Sequence, residues 1–162
     1  EEAVGRKNLR NVRFLGSLSY REYLTSLRAS DICLLPLSTG TPAETIPGKM
    51  ADIMACGRPI LASLDLSGDA AELIRTVGCG LSVGPGDSRG MAQAVLTLFE
   101  DEEMRLSLGR KGREYARREL SRTACTRRFN EVIVGAQECF GSAGWRGEGG
   151  RGDGPQRGFF DE

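Results

Sequence analysis

The sequence predicts an α/β domain, a Rossmann-like parallel sheet flanked by helices. Three observations carry that prediction. Short apolar runs, DICLLPL (31–37) and PILAS (59–63), are nearly continuous, as strands buried on both faces of a parallel sheet require. The segments between and after them place apolar residues at three and four, which is helical spacing. Helix start and stop residues separate the two kinds of segment, and such alternation implies right-handed crossovers in a doubly wound sheet.

The totals bound the alternatives. The chain has 162 residues, enough for one domain with a real core. It is 40% hydrophobic and 27% charged, ordinary values for a soluble globular protein. Lys+Arg and Asp+Glu both number 22, so the net charge is zero and a nucleic-acid-holding protein is not expected. No apolar run approaches the ~20 residues of a membrane span, and the opening EEAVGRKNLR does not read as a signal peptide. The five cysteines are odd in number and form no C-x-x-C, which fits a reducing, cytoplasmic compartment. Histidine is absent, which excludes a Ser-His-Asp triad or a His-containing zinc site within the chain.

Taken in order, NVRFLG (11–16) is a short β run closed by Gly. Ser19 and Glu22 have the spacing of a capping box, opening a helix with Tyr23, Leu24, Leu27 and Tyr20 on one face. That helix ends near Ser30. Pro36 marks the end of the next strand. A Ser-, Thr-, Gly- and Pro-rich loop covers 38–46. Pro47 suits the first helical position, and Gly57 suits the residue just past the helix end. After the 59–63 strand, Asp69 and Glu72 again have capping-box spacing, with Asp69 as the cap, and Gly78 stops that helix. Residues 79–83 make a fourth strand, and Asp87 caps a helix that uses Met91, Ala94, Val95, Leu98 and Phe99 as its core face. The acidic cluster 100–103 opens a further helix with Met104, Leu108 and Tyr115 as core contacts. Ser121 caps a last helix carrying Phe129, Val132 and Ile133. The ordered domain spans 1–140. Residues 141–162 are Gly-rich and read as a disordered tail, where Arg151-Gly-Asp153 is a chance tripeptide.

The chemistry concentrates at 42–63, PAETIPGKMADIMACGRPILAS. In a doubly wound sheet, ligands bind beyond the carboxyl ends of the strands, and the 38–47 loop lies at such an end. The helix that follows Pro47 presents the amides of Gly48, Lys49 and Met50 where a helix lacks intrahelical acceptors, which suits a phosphate or diphosphate. Lys49 adds a point charge or faces solvent. Glu44, in the loop, has the chemistry to hold sugar hydroxyls or balance a developing positive charge. Asp52, on the helix, can accept from two vicinal hydroxyls of a ribose. Judged singly, a bare helix start, a solvated loop acid and a surface acid account for these residues equally well or better. No Gly-x-Gly-x-x-Gly or Walker pattern occurs, and Asp-x-Asp is absent, so a metal-holding carboxylate pair has no support.

Together these strings resemble the carboxy-terminal, donor-binding domain of group 1 retaining glycosyltransferases of the GT-B fold. NVRFLG, SDICLLPL, the acid pair Glu44 and Asp52 around PGK, MACGRPILAS and GCGLSVGPGD come in that family's order and cover 11–134. The resemblance implies transfer of a sugar from a nucleoside diphosphate sugar with retention and without a cofactor or metal. It makes Glu44 the catalytic sugar contact, Asp52 the ribose contact, and Gly48, Lys49 and Met50 the diphosphate contacts. The chain departs from the common pattern in having Asp rather than Glu second and Thr-Ile-Pro-Gly-Lys in the loop. The resemblance further implies a glycan, lipid or small-molecule acceptor reached through an amino-terminal domain that this chain lacks, with peripheral membrane association of the full-length enzyme.

In the family, two strands and a basic phosphate-binding pair precede the counterpart of NVRFLG. The chain therefore reads as a fragment, inactive alone, whose open apolar strand edges invite self-association. The alternative is a non-catalytic α/β module that binds a protein partner through the same cleft or edge.

Overall fold

The computed structural model describes residues 2–38 and 40–142. The tail expected at 141–162 therefore lies almost wholly outside the described residues. The elements are α1 (Glu2–Arg6), α2 (Tyr20–Ala29), β1 (Cys33–Pro36), α3 (Gly48–Ala55), β2 (Ile60–Ser63), α4 (Asp69–Val77), β3 (Gly80–Val83), α5 (Ser88–Glu100), α6 (Glu102–Glu119) and α7 (Arg122–Ser142). The chain divides into two units, 1–124 and 125–162. The first holds the sheet. In the second, α7 carries an exposed Arg127–Glu131 pair at 3.8 Å.

The sheet is parallel, ordered β1-β2-β3, with Cys33, Ile60 and Gly80 in register. Each crossover is a helix, α3 and then α4, which is the βαβ connection parallel strands need. β2 is central. Its Ile60, Leu61 and Ala62 are fully buried because helices cover both faces. On one face Cys33, Leu35, Ile60 and Ala62 pack with Met50, Ile53 and Met54 of α3 and Ala70, Ala71 and Ile74 of α4. On the other, Leu61 packs with Leu98 of α5 and Leu108 of α6, flanked by Ile32, Leu81 and Met91.

The glycines of α6 let it approach closely. A Cβ on Gly109 would lie 2.2 Å from the Gly57 carbonyl oxygen, and one on Gly112 would lie 3.1 Å from Cys79 Cβ. Two expected stops hold, since Gly57 and Gly78 take φ of 70° and 65° at the ends of α3 and α4. The expected caps of α2, α5 and α7 also form. Ser19 and Glu22 make the full capping box. Asp87 accepts from the Gly90 amide at 2.8 Å, and Ser121 Oγ accepts from the Ala124 amide at 3.3 Å.

Several expectations need correction. Residues 11–16 form no strand. They run without a ladder partner among the described residues, and Val12, Phe14 and Leu15 are exposed. A strand is defined by its neighbour's hydrogen bonds, and apolar sequence does not supply one. The described sheet therefore has three strands rather than four.

For the same reason β1 is an edge of that sheet. It is buried only on alternate residues, and Leu34 is 56% exposed on the face where α5 covers β2 and β3. Pro47 is the N-cap of α3 rather than its first helical residue. Asp69 is the first residue of α4, whose cap is Gly68, because the Asp69 amide is drawn to the Ala43 carbonyl at 2.9 Å. Phe99 points outward, 74% exposed, one residue past the core face that Leu98 fills.

Candidate functional site

The carboxyl ends of all three strands meet the 38–47 loop. The ladder continues past Pro36, with the Leu37 amide donating to Ser63 and the Leu64 amide to Val83, at 2.8 and 3.1 Å. Pro36, which has no N–H, closes β1 at the edge. Ser63 turns its hydroxyl to the Gly84 carbonyl at 3.3 Å, tying the end of β2 to the turn after β3.

Between these ends and the loop lies a small pocket of about 60 Å³ lined by residues that include Leu37, Ser38, Thr41, Leu64, Asp65 and Gly68. None of Glu44, Gly48, Lys49 or Asp52 lines it. It is the seam under the loop, and the exposed Glu44, Gly48 and Lys49 lie outside its lining.

Local hydrogen bonds shape the loop. Ser38 and Thr41 bond through their hydroxyls at 3.1 Å, and the Thr41 and Thr45 amides close turns onto Ser38 and Pro42. The Ala43 carbonyl receives the Asp69 amide, and this bond pins the residue before Glu44 to the start of α4. Gly68 is needed there. A Cβ on it would stand 2.6 Å from the Ala43 carbonyl oxygen. Glu44 follows this anchor and is exposed to solvent.

Pro47, with φ −67° and ψ 132°, then starts α3 without a side-chain cap. The Met50 amide donates to the Pro47 carbonyl at 2.9 Å, and its side chain is buried in the core. Met50 is thus a packing residue whose amide is already engaged. The amides of Gly48 and Lys49 have no acceptor among the described residues, and both residues are exposed. Nothing lies within 4 Å of where a Gly48 Cβ would be, so the approach to these amides is open. A free pair of N–H groups at the positive end of a helix attracts an anion.

Asp52 is one turn further along α3 than Gly48, about 6 Å at the α-helical rise. Its carboxylate accepts from the Tyr20 phenol, Oη to Oδ1 3.3 Å, across 32 residues of sequence. The Asp52 charge is the main cause that raises the Tyr20 phenol above its ordinary pKa. Tyr23 is also raised, first by burial and then by Asp52. The carboxylate also borders a groove of about 410 Å³ between α3 and α6, lined with Ala51, Ala55, Arg113 and Arg117. Among the described residues no group of His, Cys, Asp and Glu is arranged to hold a metal ion.

The structure thus places Gly48, Lys49 and Asp52 on one helix within a turn, and Glu44 on the anchored loop before it. It does not gather them around one enclosed cavity. The residue that sequence reasoning missed is Tyr20. Helical spacing put it on the core face of α2, whereas its side chain is 66% exposed and reaches Asp52. Its position beside Ser19, at the first turn of a capped helix, left it free to point away from the core.

Comparison with known proteins agrees with this architecture. The family model of group 1 glycosyl transferases matches residues 1–101. A GDP-mannose-dependent monoacylated alpha-(1-6)-phosphatidylinositol monomannoside mannosyltransferase of Corynebacterium glutamicum is 30% identical over 126 residues, 76% of this chain and 32% of that protein. An uncharacterised glycosyltransferase of Methanocaldococcus jannaschii is 26% identical over 119 residues, 73% of this chain and 32% of its own length. Among solved structures, sucrose-phosphate synthase from Thermosynechococcus elongatus superposes with a TM-score of 0.70 at 22% identity, covering 87% of this chain and 33% of that one. At that identity the likeness speaks for the fold alone, the Rossmann-like arrangement of a GT-B domain. The chain spans about a third of the length of these relatives. With the family model covering more than half of it, the chain belongs to the group 1 glycosyltransferases.

Proposed function

We propose that this chain is the donor-binding part of a retaining glycosyltransferase that takes a sugar from a nucleoside diphosphate sugar. The observation that carries the reading is the open start of α3, where the Gly48 and Lys49 amides are unengaged at the carboxyl end of a parallel sheet. The diphosphate sits on those amides, with the Lys49 ammonium beside it, and Asp52 accepts from the ribose hydroxyls. Met50 contributes by fixing the helix in the core rather than by an amide of its own.

Glu44 holds the donor sugar. As the bond to the diphosphate breaks, positive charge develops at the sugar ring, and a nearby carboxylate stabilises it. The departing diphosphate gathers negative charge, which the helix start and Lys49 stabilise in turn. No metal is required in this scheme. The GDP-mannose dependence of the Corynebacterium relative makes GDP-mannose the first donor to try.

The acceptor, a glycan, lipid or small molecule, approaches from a facing amino-terminal domain, so the chain alone binds nucleotide weakly and turns nothing over. Calorimetry with UDP, GDP and ADP on the folded chain tests the reading, and silence with all three removes it. In the full-length enzyme Glu44→Ala lowers turnover more than nucleotide affinity. The reverse order of effects overturns the role given to Glu44.

A second reading, a non-catalytic module that binds a protein partner, draws on the open β1 edge and its exposed Leu34. Upstream coding sequence for a second βαβ series excludes it.

A further inference from the structure

We infer that Tyr20 forms the nucleoside end of the donor site, its phenol orienting Asp52 and its ring receiving the base. The inference rests on the donor-site reading above and adds a residue to it. Tyr20 is the first residue of α2 and comes from a different part of the chain than α3. Its hydroxyl is the one side-chain partner of the Asp52 carboxylate among the described residues, at 3.3 Å.

A phenol that donates to one carboxylate oxygen holds that carboxylate in one rotamer. The second oxygen, and a lone pair of the first, stay free to accept from a ribose diol. Asp is one methylene shorter than Glu, so it reaches less far and depends more on such a fixed orientation. The raised phenol pKa, caused chiefly by the Asp52 charge, agrees with a close approach of the two groups.

The rest of the Tyr20 side chain lies open to solvent. It is 66% exposed, and among the described residues its one ring neighbour is Tyr23, with centroids 6.3 Å apart and planes tilted by 38°. Exposed single aromatics are common on protein surfaces. This one is distinguished by ending on a carboxylate of the candidate site. Along α3 the free amides precede the Asp52 carboxylate by one turn, and the Tyr20 ring is joined to that carboxylate through its hydroxyl, so the order of contacts is amides, carboxylate, ring. A nucleoside diphosphate has the same covalent order of phosphate, ribose and base. An exposed ring at the third position is a stacking platform for a base. Tyr20 is then a specificity-determining residue with a positioning role toward Asp52.

The test is calorimetry on the full chain with UDP, GDP, ADP and inorganic pyrophosphate, for the wild type, Tyr20→Ala and Tyr20→Phe, with circular dichroism to confirm folding. Tyr20→Ala is expected to weaken the preferred nucleoside diphosphate about tenfold, the effect of losing one base–aromatic stack, and to leave pyrophosphate unchanged. Tyr20→Phe restores most of that loss, because it keeps the ring and gives up only the phenol's hold on Asp52. Nucleotide affinity unchanged in Tyr20→Ala overturns the inference while the donor-site reading stands. Equal loss for nucleotide and pyrophosphate also overturns it, since a residue that merely supports the fold would act on both. A wild type that binds no nucleotide overturns the donor-site reading and this inference together.

Discussion

Replacing Gly68 by Ala tests how the Glu44 loop is held. The added Cβ would stand 2.6 Å from the Ala43 carbonyl oxygen and 3.3 Å from the Ala43 carbonyl carbon and Cα. All three are backbone atoms, so no side chain can swing away. Ordinary contact needs a separation larger by at least about 0.8 Å, and the loop must back off α4 by that distance. The move stretches the Asp69 N–H bond to Ala43, now 2.9 Å, which stabilises by about 1 kcal/mol net. Overpacking adds about 1–3 kcal/mol, and Ala is a poorer N-cap than Gly by some tenths.

The expected loss is about 2–4 kcal/mol. A thermal melt should show it as a fall in Tm of roughly 5–15 °C for a domain of this size. Gly84→Ala is the control. Gly84 has no atom within 4 Å of its Cβ position and no positive φ, so that variant should melt within about 2 °C of the wild type. If Gly68→Ala melts with the control, the close approach of loop and helix is not real, and the anchoring of Glu44 through Ala43 falls with it.

Other outcomes follow from the same structure. Ser19→Ala should cost about 1 kcal/mol through the lost cap of α2. Ser19 holds the Glu22 carboxyl below its usual range, so that part of the deficit is present above the carboxylate range and shrinks as pH falls through it, which urea melts at pH 7 and pH 3 would register. Cys79 is fully buried, and burial raises its thiol from 9.0 to about 11. The unfolded chain therefore ionises first, and stability present below pH 9 should fall by roughly 2–3 kcal/mol as pH rises toward 11, a loss that Cys79→Ser should not share. In native protein at pH 8, a chromogenic disulfide reagent should label exposed Cys125 far faster than Cys33 or Cys79; rapid labelling of Cys79 would place it outside the core. The open β1 edge, with Leu34 at 56% exposure and zero net charge on the chain, should make the chain self-associate at tens of micromolar. A monodisperse monomer in light scattering would count against that.

Local signals carried much of this architecture. The capping box of Ser19 and Glu22, the Gly57 and Gly78 stops and the Asp87 cap are decided within four residues of sequence, and each appears where it was read. The apolar runs at 31–37 and 59–63 named two strands of a parallel sheet, because covering both faces requires near-continuous apolar residues. Residues 11–16 also read locally as a β run and form no strand, since pairing depends on a neighbour that a local reading cannot supply.

The same division runs through the candidate site. Glu44, Gly48, Lys49 and Asp52 stand out from turn and helix-start chemistry alone. That the Glu44 loop hangs on the Asp69 amide, that the Met50 side chain is buried in the core, and that Tyr20 meets Asp52 across 32 residues are results of how helices pack on the sheet. Hydrogen bonds inside a turn are set by neighbouring residue types. The contacts of Tyr20 with Asp52 and of Ala43 with Asp69 are set by how the chain is folded around the sheet.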